Sequence, residues 1–123
     1  ELRLAHRLQT KHVLVVQIET PAGVAALDDI LAVEDVDAVF IGPSDLSANY
    51  GHIGNPGAPE VVEAVQSSLD KIAASDKASG IMALDPAAAK SYLDRGVDFV
   101  AVSIDARTLA LSLRAITADM RNR

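Results

Sequence analysis

Two textures alternate along the chain. Nearly continuous apolar runs recur at Val13-Leu14-Val15-Val16-Gln17-Ile18, Val36-Asp37-Ala38-Val39-Phe40-Ile41, Ala78-Ser79-Gly80-Ile81-Met82-Ala83 and Val97-Asp98-Phe99-Val100-Ala101-Val102. Short runs of this kind predict strands buried on both faces, as in a parallel sheet. The stretches between them have helical spacing, and their starts are marked. Thr20-Pro21 and Asp85-Pro86 each set a capping side chain before a proline, which has no N–H to leave unsatisfied at the first helical position. Pro59-Glu60 opens a third helix with an acid at the positive end of its dipole. Gly96 closes a helix before the last run. A fourth helix is predicted from about Arg107 to Met120, where Leu109, Leu113, Ile116 and Met120 form a seam. That seam is expected to pack on its own domain, with a subunit contact as the alternative. A short helix around Leu2–Leu8 precedes the first strand.

The order is therefore strand then helix, four times over. Such units build a parallel sheet with right-handed crossovers. Two architectures fit: an open doubly wound sheet, or half of an eight-stranded barrel. Both bind ligands where strands end and loops begin, so candidate chemistry belongs there. The first run ends Gln17-Ile18-Glu19-Thr20, and alternation puts Gln17 and Glu19 on one face. A carboxylate closing a strand of valines is expensive to bury unpaired. Glu19 is either a salt-bridged or capping acid, or a metal ligand or catalytic acid. The second run ends Ile41-Gly42-Pro43-Ser44-Asp45-Leu46-Ser47. Gly42 permits close backbone approach, and Ser44 and Asp45 follow where backbone N–H groups can face a ligand. An ordinary loop has the same composition. Glu19 and Asp45 together say more, because they end consecutive strands. Adjacent parallel strands lie about 4.8 Å apart, so two carboxylates can converge on one ion. Hard oxygen donors with few protein contacts suit Mg²⁺ or Mn²⁺. His6 and His12 precede the first strand, on the wrong side for catalysis. His52 lies in the loop Tyr50-Gly51-His52-Ile53-Gly54-Asn55-Pro56-Gly57, which lacks phosphate-loop spacing and reads as a flap or contact loop.

Composition narrows the partners. The chain has 123 residues, half of them hydrophobic, enough for one domain with a real core. Its net charge is −6, with 11 basic residues scattered against 17 acids, and aromatics are only 3%. A nucleic-acid groove wants a basic face and stacking rings, so nucleic acid and anionic membrane are poor partners. No run approaches the ~18–20 apolar residues of a membrane span, and no signal peptide is expected. The absence of cysteine excludes disulfides, zinc-thiolate sites and thiol catalysis, and it suits the cytoplasm. A first residue of Glu1 rather than Met carries the expectation that the sequence begins inside a longer protein.

Val16-Gln17-Ile18-Glu19-Thr20 followed by Val36 through Ser47 resembles the HpcH/HpaI aldolase family, closest to its 4-hydroxy-2-oxoheptane-1,7-dioate and 2-dehydro-3-deoxyglucarate aldolase branch. The likeness continues through Gly54-Asn55-Pro56, Pro59-Glu60-Val61, Gly80-Ile81, Tyr92-Leu93 and Phe99-Val100-Ala101-Val102. It implies a (β/α)₈ TIM barrel, with residues 1–123 forming its C-terminal half: strands five to eight and their helices, four βα units. It implies that Glu19 and Asp45 bind a divalent metal ion (Mg²⁺, Mn²⁺ or Co²⁺), that Gln17 contacts substrate, and that Ser44 and the Gly42 segment meet a pyruvate carboxylate through backbone. The implied reaction cleaves 4-hydroxy-2-oxo acids to pyruvate and an aldehyde. The implied assembly is a homo-oligomer, in which final helices exchange between barrels of a dimer within a hexamer. The family's catalytic histidine and transition-state arginine belong to early strands and match no position here, so the isolated chain is expected to be weakly active or inactive. Ser103 stands where family members tend to have glycine. A non-catalytic half-barrel used for binding or oligomerisation, and an acyl-CoA lyase of the same superfamily, are the alternatives.

Overall fold

The computed structural model describes residues 12–121. The helix expected around Leu2–Leu8, and His6 with it, lie outside the described residues. The elements run β1 (Val15–Ile18), α1 (Pro21–Ala25), α2 (Leu27–Leu31), β2 (Ala38–Ile41), α3 (Pro43–Asn49), α4 (Pro59–Ala73), β3 (Ala78–Ala83), α5 (Pro86–Asp94), β4 (Phe99–Val102) and α6 (Asp105–Arg121). All four strands are parallel, in the order β1-β2-β3-β4. That order decides between the two architectures. A doubly wound sheet reverses direction at a switch point, whereas strands that simply follow one another around match a barrel. The chain forms four consecutive βα units of a barrel.

The caps form as the sequence predicts. Thr20 Oγ1 accepts the Gly23 N–H at 3.0 Å, and Asp85 Oδ1 accepts the Ala88 N–H at 2.9 Å. One sheet face carries Ile18, Val39, Ile41 and Ile81, packed against Leu27, Leu46, Val61, Val65, Leu69 and Ile72 of the helices. This layer is the core, and each of these side chains is essentially removed from water. The other face carries the row Gln17, Phe40, Gly80 and Phe99, one residue per strand in register. Glycine is required in that row. A Cβ on Gly80 would stand 2.2 Å from Phe99 Cζ, so its absence lets the Phe99 ring lie across β3 and stack on Phe40, with centroids 5.7 Å apart.

Four features differ from the sequence expectations. β1 and β2 start two residues late, and β4 does too. At both ends of the sheet an aspartate side chain takes over from the ladder: Asp37 Oδ2 accepts the Leu14 N–H at 2.8 Å, and Asp98 Oδ2 accepts the N–H and hydroxyl of buried Ser79 at 2.7 and 2.8 Å. These bonds, the backbone one foremost, hold the Asp98 carboxyl below the usual carboxylate range. The first helix divides into α1 and α2 at Ala26, beside the fully buried Leu27. Residues 43–49, read as a loop, form α3; Pro43 at its first position and Asp45 in its first turn are helix-start marks, and buried Leu46 and Ser47 anchor it. Finally, the seam of α6, expected to pack on its own domain, is left uncovered by the other described residues. No residue of α6 is buried, and Leu109 and Ile116 are 61% and 60% exposed. The backbone of Ser103 takes a left-handed φ of 64° at the end of β4, turning the chain before α6 begins.

Candidate active site at the C-terminal ends of the strands

The site grows from β1. Its alternation sends Ile18 into the core and leaves Gln17 and Glu19 on the opposite face, as the sequence predicts. Gln17 Nε2 donates to Glu19 Oε2 at 2.8 Å. This bond orients the carboxylate and leaves Oε1 without a hydrogen-bond partner among the described residues. Gly42, buried beside them, makes the pairing possible: a Cβ there would stand 3.0 Å from Gln17 Nε2 and 3.7 Å from Glu19 Oε2. Glycine serves here by lacking a side chain rather than by an unusual φ.

Gly42 also begins α3. Its N–H donates to Ile18 O at 3.0 Å, and its carbonyl accepts from Leu46 N at 2.9 Å. It offers no capping side chain, so the N–H groups of Ser44 and Asp45 are among the four that a helix start leaves without an intrahelical acceptor. Ser44 and Asp45 are exposed. The Asp45 carboxylate makes no hydrogen bond or ion pair with another described residue. Asn49, one turn further on, joins the two halves of the site. Its Nδ2 donates to Glu19 O at 3.0 Å and to Asp45 O at 2.9 Å. One amide group thus ties the main chains that carry both acids. Sequence reasoning missed Asn49; its signal, a spacing of four from Asp45, has meaning only once residues 43–49 are helical.

The donor set fits a hard divalent cation. Two carboxylates with free oxygens are carried at neighbouring strand ends, on main chains tied by Asn49, and such oxygen donors suit a hard ion. Among the described residues no group of three or more His, Cys, Asp or Glu side chains could hold an ion, so an ion held by Glu19 and Asp45 would need further oxygens from water or substrate. The histidines stand apart. His12 is exposed before β1, and His52 bonds the Glu60 carboxylate, anchoring the loop to the start of α4. No helix among the described residues is long and apolar enough to cross a membrane.

Known proteins resemble this chain in sequence and fold. A hydroxypyruvate/pyruvate aldolase of Roseovarius nubinhibens is 48% identical over 108 residues, 88% of this chain and 42% of that protein. A 4-hydroxy-2-oxo-heptane-1,7-dioate aldolase of Salmonella paratyphi B is 43% identical over 113 residues, 92% of this chain and 43% of that protein. The crystal structure of an HpcH/HpaI aldolase/citrate lyase family protein from Burkholderia cenocepacia superposes with a TM-score of 0.81 at 35% identity, covering 89% of this chain and 42% of that one. The chain spans about two-fifths of the length of these relatives. The profile of the HpcH/HpaI aldolase/citrate lyase family matches residues 3–111, nearly the whole chain, and the chain belongs to that family.

Proposed function

We propose that residues 1–123 are a partial barrel domain supplying the metal-holding side of a divalent-metal-dependent aldolase, which cleaves 4-hydroxy-2-oxo acids to pyruvate and an aldehyde. The observation that carries this reading is the joining of Glu19 and Asp45 at one rim, through Asn49, with a free carboxylate oxygen on each. In the cleavage the C3–C4 bond breaks, the C4 hydroxyl loses its proton as the aldehyde forms, and the electron pair moves to the C2 carbonyl oxygen as an enolate. A divalent ion (Mg²⁺, Mn²⁺ or Co²⁺) held by Glu19 and Asp45 would supply the positive charge that this oxygen needs. The chain's own residues set the geometry. Gln17 fixes the Glu19 carboxylate and stands beside the substrate, and the backbone of Gly42 and Ser44 meets the carboxylate of the pyruvate moiety. The resemblance puts the base that takes the C4 proton on earlier strands. No lysine follows directly on the C-terminal end of a strand among the described residues, which disfavours a Schiff-base route. The exposed apolar residues of α6 support a homo-oligomer, dimer-based, in which that helix meets another subunit. Absence of cysteine suits an enzyme of the cytoplasm.

The test is calorimetric. Pyruvate titrated into the chain should give heat only with Mg²⁺ present, and Asp45→Asn should weaken that binding at least about tenfold, as loss of a charged ligand does. Binding that survives exhaustive chelation counts against the metal. No heat under any condition favours a non-catalytic oligomerisation module.

A further inference from the structure

Strand β1 ends at Ile18, whose carbonyl accepts the Gly42 N–H at 3.0 Å. One residue further on, the main chain of Glu19 is joined to α3 by a side chain, the amide of Asn49, at 3.0 Å. Among the described residues no other hydrogen bond makes that connection. The same nitrogen donates to Asp45 O at 2.9 Å. An amide NH₂ has two donors, so one planar group sets how far apart the carbonyls of Glu19 and Asp45 stand.

Stability does not ask for this residue. Asn49 is exposed at the last position of α3, and asparagine is an indifferent helix former. Buried Leu46 and Ser47 already fasten α3 to the core. A hydrogen bond made in the open competes with water and adds little. What distinguishes these two bonds is where they land, on the main chains of the two residues whose carboxylates have oxygens free for an ion.

Two protein ligands are few. The remaining oxygens of a bound ion come from water or substrate, so the spacing of Glu19 and Asp45 is the protein's hold on its geometry. Ions differ in how much that hold matters. Mg²⁺ requires a near-regular octahedron of oxygens at about 2.0–2.1 Å, whereas Ca²⁺ accepts roughly six to eight oxygens at about 2.3–2.6 Å in loose arrangements. Carboxylates on tied main chains suit the strict ion. The same carboxylates on chains free to shift suit the tolerant one.

We propose that Asn49 is a positioning residue that sets the preference of this site for Mg²⁺ over Ca²⁺, by fixing the main chains of Glu19 and Asp45. The inference rests on the metal-dependent aldolase reading above and concerns the choice of ion at that same site. It is tested without turnover, by electron paramagnetic resonance of free Mn²⁺ titrated with the 123-residue chain. Mg²⁺ or Ca²⁺ is then added as competitor to obtain the affinity for each. The site is the binding that Asp45→Asn removes. Asn49→Leu, close in size but without donors, and Asn49→Ala should each weaken Mg²⁺ about tenfold, the low end for losing a group that holds a ligand in place. Ca²⁺ should weaken less than about threefold, as its looser geometry allows. The melting temperature should stay within about 4 °C of the unaltered chain's, as for other exposed positions. Losses that fall on Ca²⁺ as heavily as on Mg²⁺, no loss for either ion, or a larger fall in melting temperature overturns the inference. Mn²⁺ binding that Asp45→Asn leaves intact brings down the metal reading and this inference together. Binding that depends on Asp45 but is indifferent to Asn49 brings down this inference alone.

Discussion

Ser79 turns its main-chain N–H and its hydroxyl onto a single oxygen of Asp98, and the consequence is a pH dependence of known sign. The carboxyl is held below its ordinary value of 3.8 by those bonds. A group depressed in the folded state stabilises it fully above the unfolded value, and the contribution disappears as pH falls through the lower folded value. Asp98→Asn should therefore flatten the acid limb of stability below about pH 4, seen by circular dichroism against pH. Asp98→Ala should cost about 1–3 kcal/mol in urea unfolding, because both donors of a buried serine lose their acceptor. Asp98 and Asp37 were visible in the sequence only as interruptions of apolar runs. Their roles depend on neighbouring strands, 19 and 23 residues away from their partners, and no local pattern encodes that. Glu19 and Gln17 were legible for the opposite reason: strand alternation alone puts them on one face.

Elements with their own punctuation were the most legible. The Thr20-Pro21 and Asp85-Pro86 starts carry the expected capping bonds, and β3 occupies Ala78–Ala83 as predicted. Helix α3 was not foreseen, because Gly-Pro-Ser-Asp composition serves turns and helix starts equally; burial of Leu46 and Ser47 settles it, and burial is a tertiary fact. Strand β3 gives the sharpest test at this scale. Gly80→Ala must displace the Phe99 ring and so disturb its stacking on Phe40. A loss of about 1–3 kcal/mol is expected, the usual range for overpacking, measured by thermal or urea unfolding. A neutral result would mean that the ring swings aside freely into solvent.

Across the molecule, the repeated βα unit was legible from periodicity, but the choice between barrel and doubly wound sheet was not. Periodicity does not report strand order; the unreversed order β1-β2-β3-β4 does. That order leaves β1 and β4 each paired on one side only among the described residues, and α6 holds its apolar residues in solvent. Unpaired edges and exposed apolar stripes both recruit other chains. Sedimentation of the 123-residue chain should show dimers or larger species at micromolar concentration. A monodisperse monomer would contradict this.

The clamps made by Asp37 and Asp98 sit where strands begin, while the candidate chemistry sits where they finish. On the proposed reading, fold maintenance and substrate choice thereby fall to opposite rims. Random variation in the segments after the strands leaves both anchors intact, so new selectivities can be sampled there without first loosening the scaffold that presents them.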